Sequence, residues 1–93
     1  MIKAENLKLI SGIFSTDEAS TILLGLLKNK IDFHNMEIAH IKETGSGNLE
    51  KSEHRIKELK LLREEIRLII EEAKHEKVDL AIESTINIHP VQK

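Results

Sequence analysis

The chain contains no cysteine, tryptophan or tyrosine, only two phenylalanines (Phe14 and Phe33) and a single proline, Pro90. Without cysteine there is no disulfide and no thiolate chemistry, and nothing points to an oxidising compartment. With so few aromatic rings, the surfaces on which bases, sugars or flat cofactors usually stack are missing. The core must therefore be built from isoleucine and leucine. Glycine is also scarce. Gly45-Ser46-Gly47 lacks the lysine and the preceding strand of a phosphate cradle, so it reads as a turn, and no Gly-x-Ser-x-Gly occurs.

Two further absences bear on location. The longest apolar run falls far short of the ~20 residues of a membrane span. The first ten residues carry Lys3, Glu5 and Lys8, which do not form a signal peptide. The expectation is a cytoplasmic protein with no membrane partner. A net charge of −2 supplies no field toward nucleic acid, although protonation of the five histidines would reverse its sign. The 93 residues allow one domain, residues 1–93, that is 40% hydrophobic and 32% charged, within the globular range.

What the chain does have is pattern. From Val78 to Ile88 every second residue (Val78, Leu80, Ile82, Ser84, Ile86, Ile88) forms a largely apolar row. The residues between them, such as Asp79, Glu83, Thr85 and Asn87, are mostly polar. This period of two predicts a strand with one buried and one wet face, closed by Pro90. Glu5 to Phe14 predicts a second strand, with Leu7, Leu9, Ser11 and Ile13 in one row and Lys8, Ile10 and Gly12 in the other.

Between the strands lie two helical stretches. Ser15-Thr16-Asp17-Glu18 has the form of a capping box, flanked by Phe14 and Ala19 where a hydrophobic staple would close. From Thr16 to about Glu43 the first helix carries two apolar rows. One holds Leu23, Leu24, Leu27, Ile31, Ile38 and Ile41; the other holds Ala19, Ile22, Leu26, Phe33, Met36 and His40. Two rows imply two packing partners, and Gly25 is tolerable where helices cross closely. The alternative is a helix ending near Lys30 with Ile31 to Ile41 extended. Gly45 or Gly47 suits the end of this helix, and Ser46 or Asn48 the start of the next.

Leu49 to about Lys77 predicts a second helix with the stripe Leu49, Ile56, Leu59, Leu62, Ile66, Ile69, Ile70 and Ala73. Leu61 and Leu68 stand on its opposite side, one heptad apart. Its polar face suggests the pairs Glu53–Lys57, Lys60–Glu64 and Arg67–Glu71. The elements assemble as an α+β fold of order β-α-α-β, a long antiparallel helical hairpin on a two-stranded antiparallel sheet. Two strands give a sheet only ~10 Å wide, against ~20 Å for two helices side by side. This mismatch predicts a homodimer, through Ile22, Leu26, Phe33, Met36, Leu61 and Leu68, through strand edges, or both. A foreign protein is the other occupant such surfaces admit.

One constellation suggests metal chemistry: His34, Glu37 and His40 at i, i+3 and i+6, with Glu72-x-x-His75 on the second helix. The paired Glu-x-x-His segments resemble those of di-iron helical bundles. Two further inward glutamates are not apparent, and Glu72 and His75 fall on the outer side near Leu68. Solvated or hydrogen-bonded histidines are the competing reading. Glu83, Thr85, Asn87 and His89 could form a polar surface on the last strand, or simply its wet face. No catalytic constellation and no cofactor are expected. The stretches ISGIFSTDEA (10–19), LKNKIDFHN (27–35) and STINI (84–88) together resemble a group of short bacterial proteins of unassigned function, a likeness that implies no activity. A ribbon-helix-helix DNA binder is disfavoured: the helices are about twice too long and the strand lacks groove-reading residues. The sequence thus points to a homodimeric protein-interaction or structural module, with metal binding as the alternative.

Overall fold

The computed structural model describes residues 2–93 and has the order β1 (Glu5–Phe14), α1 (Thr16–Thr44), α2 (Leu49–Glu76) and β2 (Leu80–Ile88). Ser15 starts α1 through a reciprocal cap. The Glu18 backbone N–H donates to Ser15 Oγ at 3.1 Å, and the Ser15 N–H donates to Glu18 Oε1 at 2.9 Å. Ala19, four residues past the cap, is fully buried. α1 runs unbroken past Lys30 to Thr44, so the extended alternative for residues 31–41 does not occur.

The turn is set by backbone geometry. Gly45 takes the left-handed conformation (φ 71°), and its N–H donates to the Ile41 carbonyl at 2.7 Å, closing α1. Gly47 has φ 127°, and a Cβ there would stand 2.8 Å from Ile41 Cγ1, so the turn folds against α1 only with glycine at this position. Asn48 Oδ1 then accepts from the Lys51 N–H at 3.0 Å and caps α2. At its far end α2 closes in a Schellman motif: Val78 N–H to Ala73 O at 3.1 Å and Lys77 N–H to Lys74 O at 3.2 Å, with Lys77 left-handed at φ 59°. Val78 is consumed by this cap and is exposed, so β2 begins two residues later than its alternating pattern suggests.

The two helices pack along a seam of Leu27, Ile31, Ile56 and Leu59, with Leu24, Ile38 and Ile66 against it. At the sheet end Ile10, Ala19, Ile70 and Ala73 are buried. Leu62 and Ile69, expected in the α2 stripe, are exposed. They lie at the margin of a face whose centre passes through Ile56, Leu59 and Ile70, and a single partner helix covers only that centre. The ion pairs also differ from the i,i+4 set expected. Arg67 reaches back one turn to grip Glu64 with Nε (3.0 Å) and Nη2 (2.6 Å), taking the carboxylate that Lys60 would have used. Lys28–Asp32 is paired at 2.8 Å on α1.

β1 and β2 pair antiparallel, with a bulge at Leu9 between the pairs Lys8–Thr85 and Ile10–Ser84. The bulge changes which residues face the helices. Beyond it Ile10, Gly12 and Phe14 lie opposite Ser84, Ile82 and Leu80, the half-buried row of β2, while Ser11 and Ile13 turn to the other face. The expected row of Leu7, Leu9, Ser11 and Ile13 is therefore split, because one extra residue reverses the pleat. Within β2 only Leu80, Ile82 and Ser84 are covered; Ile86 and Ile88 are exposed.

The result is a plate of 49 × 34 × 15 Å with a radius of gyration of 16.7 Å, where a compact chain of this length has about 12 Å. No helix among the described residues is long and apolar enough to cross a membrane.

Candidate functional site

Several grooves lie along α1. The first, of about 840 Å³, lies at the turn end of the hairpin, between the last turns of α1 and the first turns of α2. Its charged lining is Lys30, Lys51 and Arg55 against Glu37 and Glu58, and the capped N-terminus of α2 adds positive potential. His34 is the most enclosed titratable group there. Its side chain is 12% exposed, and Nδ1 stands 2.6 Å from Glu37 Oε1. Beside a carboxylate Nδ1–H is the donor, and the opposite nitrogen, Nε2, is buried without a hydrogen-bond partner among the described residues. The Phe33 ring stands edge-on to the imidazole at 5.4 Å, with Lys30 Nζ 5.0 Å from the Phe33 centroid.

A carboxylate behind Nδ1 with Nε2 unbonded is how a metal-ligating histidine is oriented. The further ligands do not converge on it. Among the described residues no group of three or more histidine, aspartate or glutamate side chains could hold a metal ion. His40 lines the same groove but does not join His34 and Glu37 in a ligand set. Glu72 and His75 sit near the other end of the hairpin, where Lys74 Nζ lies 3.9 Å from Asp17 Oδ1 at the start of α1. About 25 Å of helix separates that end from His34.

Reading the sequence did not single out Lys30, Lys51, Arg55, His54 or Glu58 as neighbours of His34. Their signal lay in the antiparallel hairpin itself, which brings residues on either side of the turn together. Outside this groove, the exposed face of α2 carries the Glu64–Arg67 pair. There the hydrogen bond from Arg67 holds the Glu64 carboxyl below its ordinary value, and Glu64 raises Arg67 in return. Glu83, Thr85, Asn87 and His89 are all exposed on or beside β2 and form no enclosed site.

The second groove, of about 580 Å³, runs between β1 and α1 and is mostly apolar, with Ser11, Thr21 and Asn29 as its polar members. Leu9, Ile10, Ser11 and Phe14 line it from the strand, Ile22, Gly25 and Leu26 from the helix. Of the residues expected to mediate association, Ile22 and Leu26 lie in this groove, and Phe33 and Met36 continue their row along α1, 52% and 72% exposed. Leu61 and Leu68 are exposed on the side of α2 turned away from the helix seam, so they form a separate patch. Nothing in the periodic pattern marks Leu9 and Ser11 as neighbours of the Ile22 row, because the bulge at Leu9 leaves no trace in it. Compared with known protein families, with curated proteins and with solved structures, the chain matches none.

Proposed function

We propose that the protein is a homodimeric module that works in the cytoplasm through protein–protein contact, as a structural or interaction element rather than as a catalyst. One observation carries this reading: the chain exposes 7648 Å², about 2,000 Å² more than a folded monomer of 10.6 kDa is expected to expose. An obligate homodimer buries about 1,000–2,500 Å² on each chain. The excess thus matches what one dimer interface removes. The exposed side chains include large apolar ones, among them Leu9, Ile13, Leu26, Phe33 and Met36, and surplus apolar surface of this kind supports a contact site. Leu61 and Leu68 form the patch through which such a dimer would meet a further protein. Lack of cysteine fits a reducing compartment.

Sedimentation velocity on the purified chain at micromolar concentration tests the reading. The expected species has twice the 10.6 kDa chain mass. A single species of 10.6 kDa throughout the micromolar range would overturn it.

A further inference from the structure

A two-stranded sheet has two unpaired edges, each a row of backbone N–H and C=O groups. We infer that the dimer closes on the free edge of β1, which pairs antiparallel with β1 of a second copy to give one sheet of order β2-β1-β1′-β2′. The Ile22–Gly25–Leu26 ridge of α1 then lies against the same ridge of the partner. This inference rests on the homodimer reading and adds its contact.

The two edges are chemically unlike. From Leu9 to Phe14, β1 carries no charge. β2 has Glu83 at mid-strand with Asp79 just before it. Symmetric pairing of β2 with itself would bring carboxylates of like charge together, which is unfavourable across strands. The faces differ as well. Ile13 is 75% exposed on the side of β1 away from the helices, whereas that side of β2 shows Ala81, Glu83, Thr85 and Asn87. Pairing through β1 makes the apolar segment central and leaves the charged strands outside.

The groove beside α1 supports the same edge. It is lined by β1 and α1 and by no residue of β2. Gly25 stands in its wall. A mid-helix glycine costs about 1 kcal/mol relative to alanine, yet a Cβ at Gly25 would meet nothing within 4 Å. Among the described residues no close helix crossing meets Gly25; a second α1 approaching across a two-fold axis would supply one. The area agrees, since about 2,000 Å² of surplus surface per chain is what an obligate dimer needs. Lys8 and the bulge at Leu9 limit edge pairing to the stretch that follows them. Glu83 on the outer strands stops further growth. The contact is therefore isologous and closed rather than a route to fibres.

Because the chain has no cysteine, single substitutions read the contact directly. In an antiparallel pair about a two-fold axis, the residue on the axis faces its own copy at a Cα separation within disulfide range. Ser11→Cys, Gly12→Cys and Ile13→Cys are oxidised separately under mild conditions, beside Thr85→Cys on β2 and Leu68→Cys on α2. The expected result is a disulfide-linked dimer from at least one β1 variant and from neither of the others. Gly25→Leu is expected to weaken dimerisation about tenfold or more, since a bulky side chain at a close crossing overpacks it, while helical circular dichroism is retained. A dimer by sedimentation that cross-links through Thr85 or Leu68, or through none of the β1 positions, would refute the β1 contact and leave the homodimer standing. A monomer by sedimentation would refute both.

Discussion

His34 Nδ1 lies 2.6 Å from Glu37 Oε1, one helical turn away, and the opposite ring nitrogen of His34 is buried without a partner. One bond is made and one desolvated group is left unmatched, and the two should respond oppositely to mutation. Glu37→Ala leaves Nδ1–H unpaired as well and is expected to cost about 1 kcal/mol. His34→Phe removes both polar atoms at similar volume and is expected to be neutral or stabilising. Urea denaturation of the two variants checks this; a loss above 1 kcal/mol for His34→Phe would show that Nε2 has a partner.

Ser15 satisfies a backbone donor at the start of α1 and is itself held by Glu18. Ser15→Ala is expected to destabilise the fold by about 1 kcal/mol. Ser15→Asp keeps an acceptor at the same place and should lose far less. Equal losses in the two variants would count against the cap.

Gly47 meets Ile41 so closely that any side chain must displace it, and its φ of 127° is hostile to L-residues. Gly47→Ala is expected to cost about 1–3 kcal/mol, against about 1 for Gly45→Ala at the ordinary helix-ending conformation. Thermal unfolding of the two variants should show this order, and a reversed order would mean the turn can move away from α1.

The Glu64–Arg67 pair makes a statement about pH. Its hydrogen bond holds Glu64 below the ordinary 4.5 in the folded chain, so between the folded and unfolded values the unfolded chain binds more protons. The pair therefore contributes stability above pH 4.5 and loses it as pH falls through the lowered value. Glu64→Gln should be slightly less stable than the parent near neutral pH, with the difference vanishing in strong acid and in high salt. A gap that persists at low pH would assign the loss to packing instead.

Leu61 and Leu68 lie apart from the β1–α1 groove. Leu61→Lys combined with Leu68→Lys is expected to leave the sedimenting mass of the dimer unchanged, whereas Leu26→Lys should shift it toward the monomer. The converse pattern would move the interface to α2.

Most of the fold was written in short-range signals. The Ser15 box, the glycine at the end of α1, Asn48 and the alternation around Leu80 to Ser84 each report a local backbone state, and each element formed where its signal lay. The bulge at Leu9 carries no such signal: no glycine or proline marks it, and it arises because Lys8 and Ile10 pair with adjacent residues of β2. Periodicity assumed an unbroken pleat and so kept Leu7 in one row with Ser11 and Ile13, and Lys8 in one row with Ile10, where the structure parts them. The histidine site failed for a related reason. Spacing along one helix placed His34 beside Glu37 correctly, but a ligand set also needs residues from the facing helix, and Glu72 and His75 belong to its distant end. The second α1 row was legible as surplus; the strand edge beside it was not.

A plate 15 Å thick has scarcely any residue with protein on every side, and even its most enclosed large side chains retain some contact with water. If its missing cover is a second copy, association adds to the stability of the fold by mass action. Each tenfold dilution would then remove about 1.4 kcal/mol from the assembled state. A cell making few copies would hold a larger unfolded fraction, open to proteolysis, while one making many would protect them. The abundance of this chain would then set its own lifetime.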